Sequence, residues 1–180
     1  MTTFDTLLER NRDFAAHHFP KDVPLMPRAM IIGCVDQRVD PAHVLGLGLG
    51  EAIVIRNVGG RITPATLQTM GMLKRIAQVG GDAPAGEFHL IVLQHTHCEI
   101  TRLDQDPDLL ASYFGIGKEG LLAKAIPDPR AAVAVDVAAL KATPALPGNW
   151  LVSGLVYDVA TGLVEVVVPP APLASPQSHE

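Results

Sequence analysis

Apolar and polar positions alternate along this chain with two distinct periods. Residues 2–18 carry Phe4, Leu7, Leu8, Phe14 and Ala15 at helical spacing, and Thr2 and Asp5 stand at the separation of a capping box. That segment is predicted as an amphipathic helix. Four later runs are short, β-branched and bounded by glycine, proline or polar residues: "AMIIG", "EAIVIR", "FHLIVL" and "NWLVSGLVYDV". Each is predicted as a buried strand. A fifth run, "LVEVVV", follows the turn "ATG" and is predicted to return antiparallel.

Between the strands the period changes to that of helices. Asp40-Pro41 and Thr63-Pro64 read as a cap followed by a first-turn proline, opening a short helix and one reaching about Val79. Helical stretches are predicted near 107–114, 118–125 and 129–141, with Pro127 and Pro129 separating the last two. "PKDVPLMPR", "NVGGRI" and "GGDAPAGE" read as connectors. The alternation implies an α/β fold: an open, mostly parallel sheet of about four strands with a C-terminal antiparallel edge strand, flanked by helices. One domain is expected over residues 1–168. The Pro- and Ser-rich segment 169–180 is expected to be a disordered tail.

Composition narrows the partners. The chain has 180 residues, 48% of them hydrophobic and 4% aromatic, so the core must be aliphatic. The net charge is −5, and its basic residues form no run. Nucleic acid is therefore not an expected partner. No apolar run reaches the ~18 residues of a membrane span, and the N-terminal segment has acids where a signal peptide would have a basic and then an apolar region. A cytoplasmic location is expected.

Candidate chemistry collects at two strand ends. Cys34 closes the first strand in "IIGCVDQRVDP", followed by Asp36 and Arg38. "QHTHC" closes the third strand and contains His95, His97 and Cys98. In an open α/β sheet the ligand crevice lies beyond the carboxyl ends of the parallel strands. If the first and third strands are neighbours, Cys34, His95 and Cys98 converge there. Two thiolates and an imidazole suit zinc, and three protein ligands leave a fourth position for catalysis. Asp36 then has two roles open to it: orienting a metal-bound water, or binding the metal and closing the site. A bidentate grip by Arg38 favours the first. Thiol catalysis by Cys34 is disfavoured: a phosphatase-type loop needs arginine where Asp40 stands, and the chain has no Cys-x-x-Cys.

These residues carry a family resemblance. "CVDQRVDP" resembles the Cys-x-Asp-x-Arg signature of the β-class carbonic anhydrases, and "HTHC" resembles their His-x-x-Cys. "GEAIVIRNVGG" and "GLVYDVATGLVEV" are similar to that family's second strand and C-terminal hairpin, so the likeness runs over about residues 28–168. It implies zinc held by Cys34, His95 and Cys98, with Asp36 and Arg38 as an activating dyad. It implies reversible hydration of carbon dioxide to bicarbonate by a zinc-bound hydroxide. It further implies a homodimer or dimer of dimers, with the first helix lying over the partner subunit. Two alternatives stay open: hydrolysis of carbon disulfide or carbonyl sulfide at the same site, or a non-catalytic zinc protein.

The second motif departs from the family's usual Gly-His-x-Asp-Cys-Gly. Gln94, His97 and Glu99 replace the first Gly, the Asp and the last Gly. Glu99 is expected to be strained if its position needs positive φ, and otherwise to add a carboxylate near the site, as a candidate pocket or proton-transfer group. His97 is open to three readings: a solvent-facing loop residue, a proton shuttle or a competing ligand. Gly59 and Gly60 are expected to form a tight turn or to let backbone approach the site. Arg56 and Asn57 match the family loop and are expected to be structural or interfacial. His17 and His18 are expected to meet the first helix's terminal carbonyls, His43 to lie in the short helix, and His89 to be a satisfied core histidine.

Overall fold

The computed structural model describes residues 2–18, 27–81 and 86–173. Most of the connector at 20–28, the centre of the "GGDAPAGE" loop and residues 174–180 of the expected tail lie outside them. Five strands form one sheet in the order β2-β1-β3-β4-β5, with β1 Ala29–Cys34, β2 Ile53–Asn57, β3 His89–His95, β4 Leu151–Tyr157 and β5 Val164–Pro172. The first four are parallel, and β5 runs antiparallel to β4. The α/β architecture expected from the alternation is therefore present.

Strands β1 and β3 read as near-continuous apolar runs because sheet neighbours cover them on both edges and other elements cover their faces. Met30 and Ile32 of β1, Leu90 and Val92 of β3 and Val152 of β4 turn into the main core. There they meet Met70 and Ala77 of α3 (Pro64–Gly80) and Val133, Val137 and Leu140 of α5 (Pro129–Lys141). A second cluster, Ile100, Leu110, Phe114 and Ile126, packs around α4 (Pro107–Phe114) and reaches Cys98.

Helix starts follow a repeated device. Asp40, Thr63, Asp106 and Asp128 cap α2 (Pro41–Val44), α3, α4 and α5, and each helix begins with proline. The cap satisfies the first free N–H groups, and proline lacks the N–H that would otherwise be orphaned. α1 (Thr3–Ala16) has the expected capping box between Thr2 and Asp5. It buries none of its residues, and Phe4, Leu7 and Phe14 are more than half exposed.

Four expectations change. Residues 118–125 form two 3-10 turns, Lys118–Gly120 and Leu122–Lys124, and not a helix. Glycines at 117 and 120 leave too short a run for a helix to nucleate. β5 continues through Pro172, and Leu173 is buried, so residues 169–173 belong to the fold and not to a tail. His89 is half-buried and faces the Glu87 carboxylate 2.9 Å away; it is not a core histidine. At the end of α1 only His17 meets a late carbonyl through its ring, that of Asp13, while the His18 ring lies against Phe14.

Candidate metal centre

Strand register builds the site. In β1 and β3 Ile32 lies beside Val92 and Gly33 beside Leu93, so the two strands end together at Cys34 and at Gln94–His95. Cys98 arrives three residues later, at the start of a 3-10 segment over Glu99–Gln105. One donor atom from each of Cys34, His95 and Cys98 lies within 4.8 Å of the others, and the two sulfurs are 3.8 Å apart. Both thiols are free.

His95 is 1% exposed. Its Nδ1 donates to the Thr96 carbonyl at 2.9 Å, which fixes the tautomer with a lone pair on Nε2. That Nε2 is buried with no hydrogen-bond partner among the described residues. A buried polar atom without a partner is costly unless something binds it. An orphaned imidazole nitrogen beside two thiols matches the donor set and charge that zinc takes, so the residues fit the metal. The two sulfurs lie within hydrogen-bond reach of each other. The hydrogen bond from the Cys98 thiol draws Cys34 down to about 4, and that same bond pushes Cys98 up, reinforced by burial.

Asp36 stands beside this cluster and is not part of it. Arg38 grips its carboxylate from two sides, Nε to Oδ1 at 3.0 Å and Nη2 to Oδ2 at 2.5 Å, and the Arg38 backbone N–H adds a bond of 2.9 Å. The guanidinium holds Asp36 at about 2. The same Nη2 donates to the His97 carbonyl at 3.1 Å, tying the two motifs together. Arg56 does the structural work expected of it. Its guanidinium donates to the Cys34 and Asp36 carbonyls, both at 2.8 Å, and pairs with Asp40.

The strained residue in the second motif is His97, with φ 54°, and not Glu99. The chain turns between the candidate ligands His95 and Cys98 there, and Glu99 begins the 3-10 segment with its carboxylate paired to Arg102 in solvent. The His97 side chain is exposed and lies outside the ligand cluster. At Gly60 a close backbone approach is required: a Cβ would lie 2.9 Å from the Cys34 nitrogen and 3.0 Å from the Leu93 oxygen, at φ 63°. Gly59 has φ 78° and faces Ile100.

A cleft of about 470 Å³ opens over Cys34, Asp36, Arg38 and Cys98, walled by Val35, Val58, Ile100 and Leu103. A second, more polar cleft of about 390 Å³ lies past Cys98 and is lined by Arg61, Gln94, His95, His97 and Arg130. Sequence reasoning missed one group here, the buried Arg61, Gln94 and Asp136. Gln94 was visible as a departure from the family motif. Asp136 carried a weaker signal, as the charged residue in the apolar run "AAVAVDVAAL".

Residues 29–110 match the family model described as carbonic anhydrase. β-Carbonic anhydrase 1 of Mycobacterium tuberculosis is 28% identical over 172 residues, covering 94% of this chain and all of that protein. The crystal structure of carbonic anhydrase from Streptococcus mutans superposes with a TM-score of 0.69 at 30% identity, covering 93% of this chain and 98% of that one. A carbon disulfide hydrolase of Saccharolobus solfataricus is 27% identical over 110 residues, 61% of this chain and 48% of that protein. The chain belongs to the β-class carbonic anhydrase family.

Proposed function

We propose that this protein catalyses the reversible hydration of carbon dioxide to bicarbonate, with zinc held by Cys34, His95 and Cys98. The observation that carries the reading is the buried His95 Nε2, left without a partner beside two sulfurs 3.8 Å apart. Zinc bound there supplies Lewis acidity, which makes a water nucleophilic near neutral pH.

The chain's own residues do the rest. Asp36 accepts a hydrogen bond from the attacking water and aims its lone pair at the carbon. Oδ1 already accepts from the Arg38 backbone N–H and Nε, so the water's hydrogen bond falls to Oδ2, whose one short bond comes from Nη2. Held at about 2, Asp36 stays ionised at working pH and does not store the released proton, which passes to solvent. Arg38 holds the Asp36 carboxylate, so Cys34, His95 and Cys98 alone would hold the metal and Asp36 would not be a further donor to it. Val35, Val58, Ile100 and Leu103 give an uncharged, linear substrate an apolar wall and exclude competing water.

The exposed apolar face of α1 supports a homodimer in which that helix lies on a second copy. Among the described residues no helix is long and apolar enough to cross a membrane. We place the protein in the cytoplasm, where neighbouring ligand thiols stay reduced.

Stopped-flow carbon dioxide hydration from neutral to alkaline pH tests the reading on protein isolated with its metal. A rate far above buffer supports it. The likeness to carbon disulfide hydrolases makes carbon disulfide the control substrate: sulfide release without carbon dioxide hydration would replace the substrate and keep the site. No turnover of either would leave a zinc protein without this catalysis.

A further inference from the structure

Beneath the ligand triad lies a buried polar network that the mechanism above does not use. Arg61 is 1% exposed and Asp136 is fully buried. Arg61 Nε donates to Asp136 Oδ2 at 2.6 Å, and Gln94 Nε2 donates to the same oxygen at 2.9 Å. Arg61 Nη2 donates to the Lys124 carbonyl at 2.7 Å, and the guanidinium carbon lies 5.1 Å from the centre of the Phe114 ring. The Arg61 backbone is tied on both sides by Asn57, whose Oδ1 accepts from its N–H and whose Nδ2 donates to its carbonyl.

Each arm leads to a different ligand. Gln94 immediately precedes His95 on β3. Arg61 immediately follows Gly60, the residue pressed against the Cys34 backbone, and Asn57 lies beside Cys34 in register. Phe114 belongs to the apolar cluster that packs against Cys98. A buried ion pair contributes little net stability compared with apolar residues of the same volume, because desolvation offsets the attraction. What it does supply is fixed direction, since a carboxylate accepting two charge-assisted or amide donors holds each in one orientation.

We propose that Gln94 and Asp136 are positioning residues for the metal centre: the Asp136 carboxylate ties the strand end carrying His95 to the turn that seats Cys34, and so sets the spacing of the ligands. The proposal rests on the metal-binding reading above. Gln94 stands where the family motif usually has glycine, so this is a device of this chain, a side chain inserted to reach α5.

The test uses cobalt(II) as a spectroscopic substitute for zinc, in the full-length protein and in Gln94→Met. The substitution keeps volume, removes the amide donor and leaves the Arg61–Asp136 pair in place, so the variant folds. The expected result is cobalt held about 10–100-fold more weakly in competition with a chelating dye, with the visible ligand-field bands displaced. Asp136→Asn is expected to displace the bands in the same way, and Gln94→Met decides the question if that variant does not fold. A lower urea midpoint in Gln94→Met with unchanged bands and unchanged cobalt affinity would show a purely structural role and overturn the proposal. Wild-type protein that takes up no cobalt and contains no zinc would overturn the metal reading, and this proposal with it. Cobalt bound as expected without carbon dioxide turnover would support the positioning role and count against the substrate reading alone.

Discussion

At the scale of single residues the proposed function gives holding a metal and using it to different side chains. His95→Ala removes the ligand whose tautomer is fixed by Thr96, and the zinc content of the purified protein is expected to collapse. Asp36→Ala leaves Cys34, His95 and Cys98 untouched. Its zinc content is expected to stay at the wild-type level while carbon dioxide hydration falls on the order of 100-fold, the scale of a misdirected reactant. Zinc undiminished in the His95 variant would refute the ligand set. Gly60→Ala is expected to cost roughly 2–4 kcal/mol in urea unfolding, because a Cβ meets backbone of both β1 and β3 at a positive φ. The Cys34–His95–Cys98 cluster and the Asp36–Arg38 pair were legible in the sequence because they follow residue type and strand position. The strain was not: which residue of a short turn takes positive φ depends on where the ladder ends, and His97 takes it in place of Glu99.

At the scale of elements, capped helix starts and apolar strands were readable because local rules decide them. Asp40-Pro41 and Thr63-Pro64 open helices as the cap logic requires. The adjacency of β1 and β3 was a condition in the sequence reading, since pairing is a long-range outcome, and the sheet order now meets it. The buried arm of α5 was unreadable for the same reason: Asp136 lies 42 residues from Gln94, and nothing local announces that they meet. Arg56 is the stitch between β2 and the turn that presents Asp36. Arg56→Met is expected to free two backbone carbonyls and lower stability by about 1.5–3 kcal/mol, read as a lower urea midpoint. Hydration activity is expected to fall with it, because the segment carrying Asp36 loses its anchor.

At the scale of the whole molecule, α1 is the element least explained by its own chain. Removal of residues 2–18 is expected to leave the sheet folded and to convert the proposed dimer to monomer, which light scattering during gel filtration would show. A dimer that survives the deletion would place the interface elsewhere. The C-terminal edge of the sheet has another property. The Leu173 N–H donates inward to the Trp150 carbonyl, so the preceding Pro172 turns its nitrogen outward, to the open side of β5. That nitrogen carries no hydrogen, and the register of β5 shifts between the rungs of Val152 and Gly154. A stray strand approaching that border finds no donor at Pro172 and an irregular ladder beyond it, and the segment expected to be a loose tail works as a selvedge that keeps the sheet from growing.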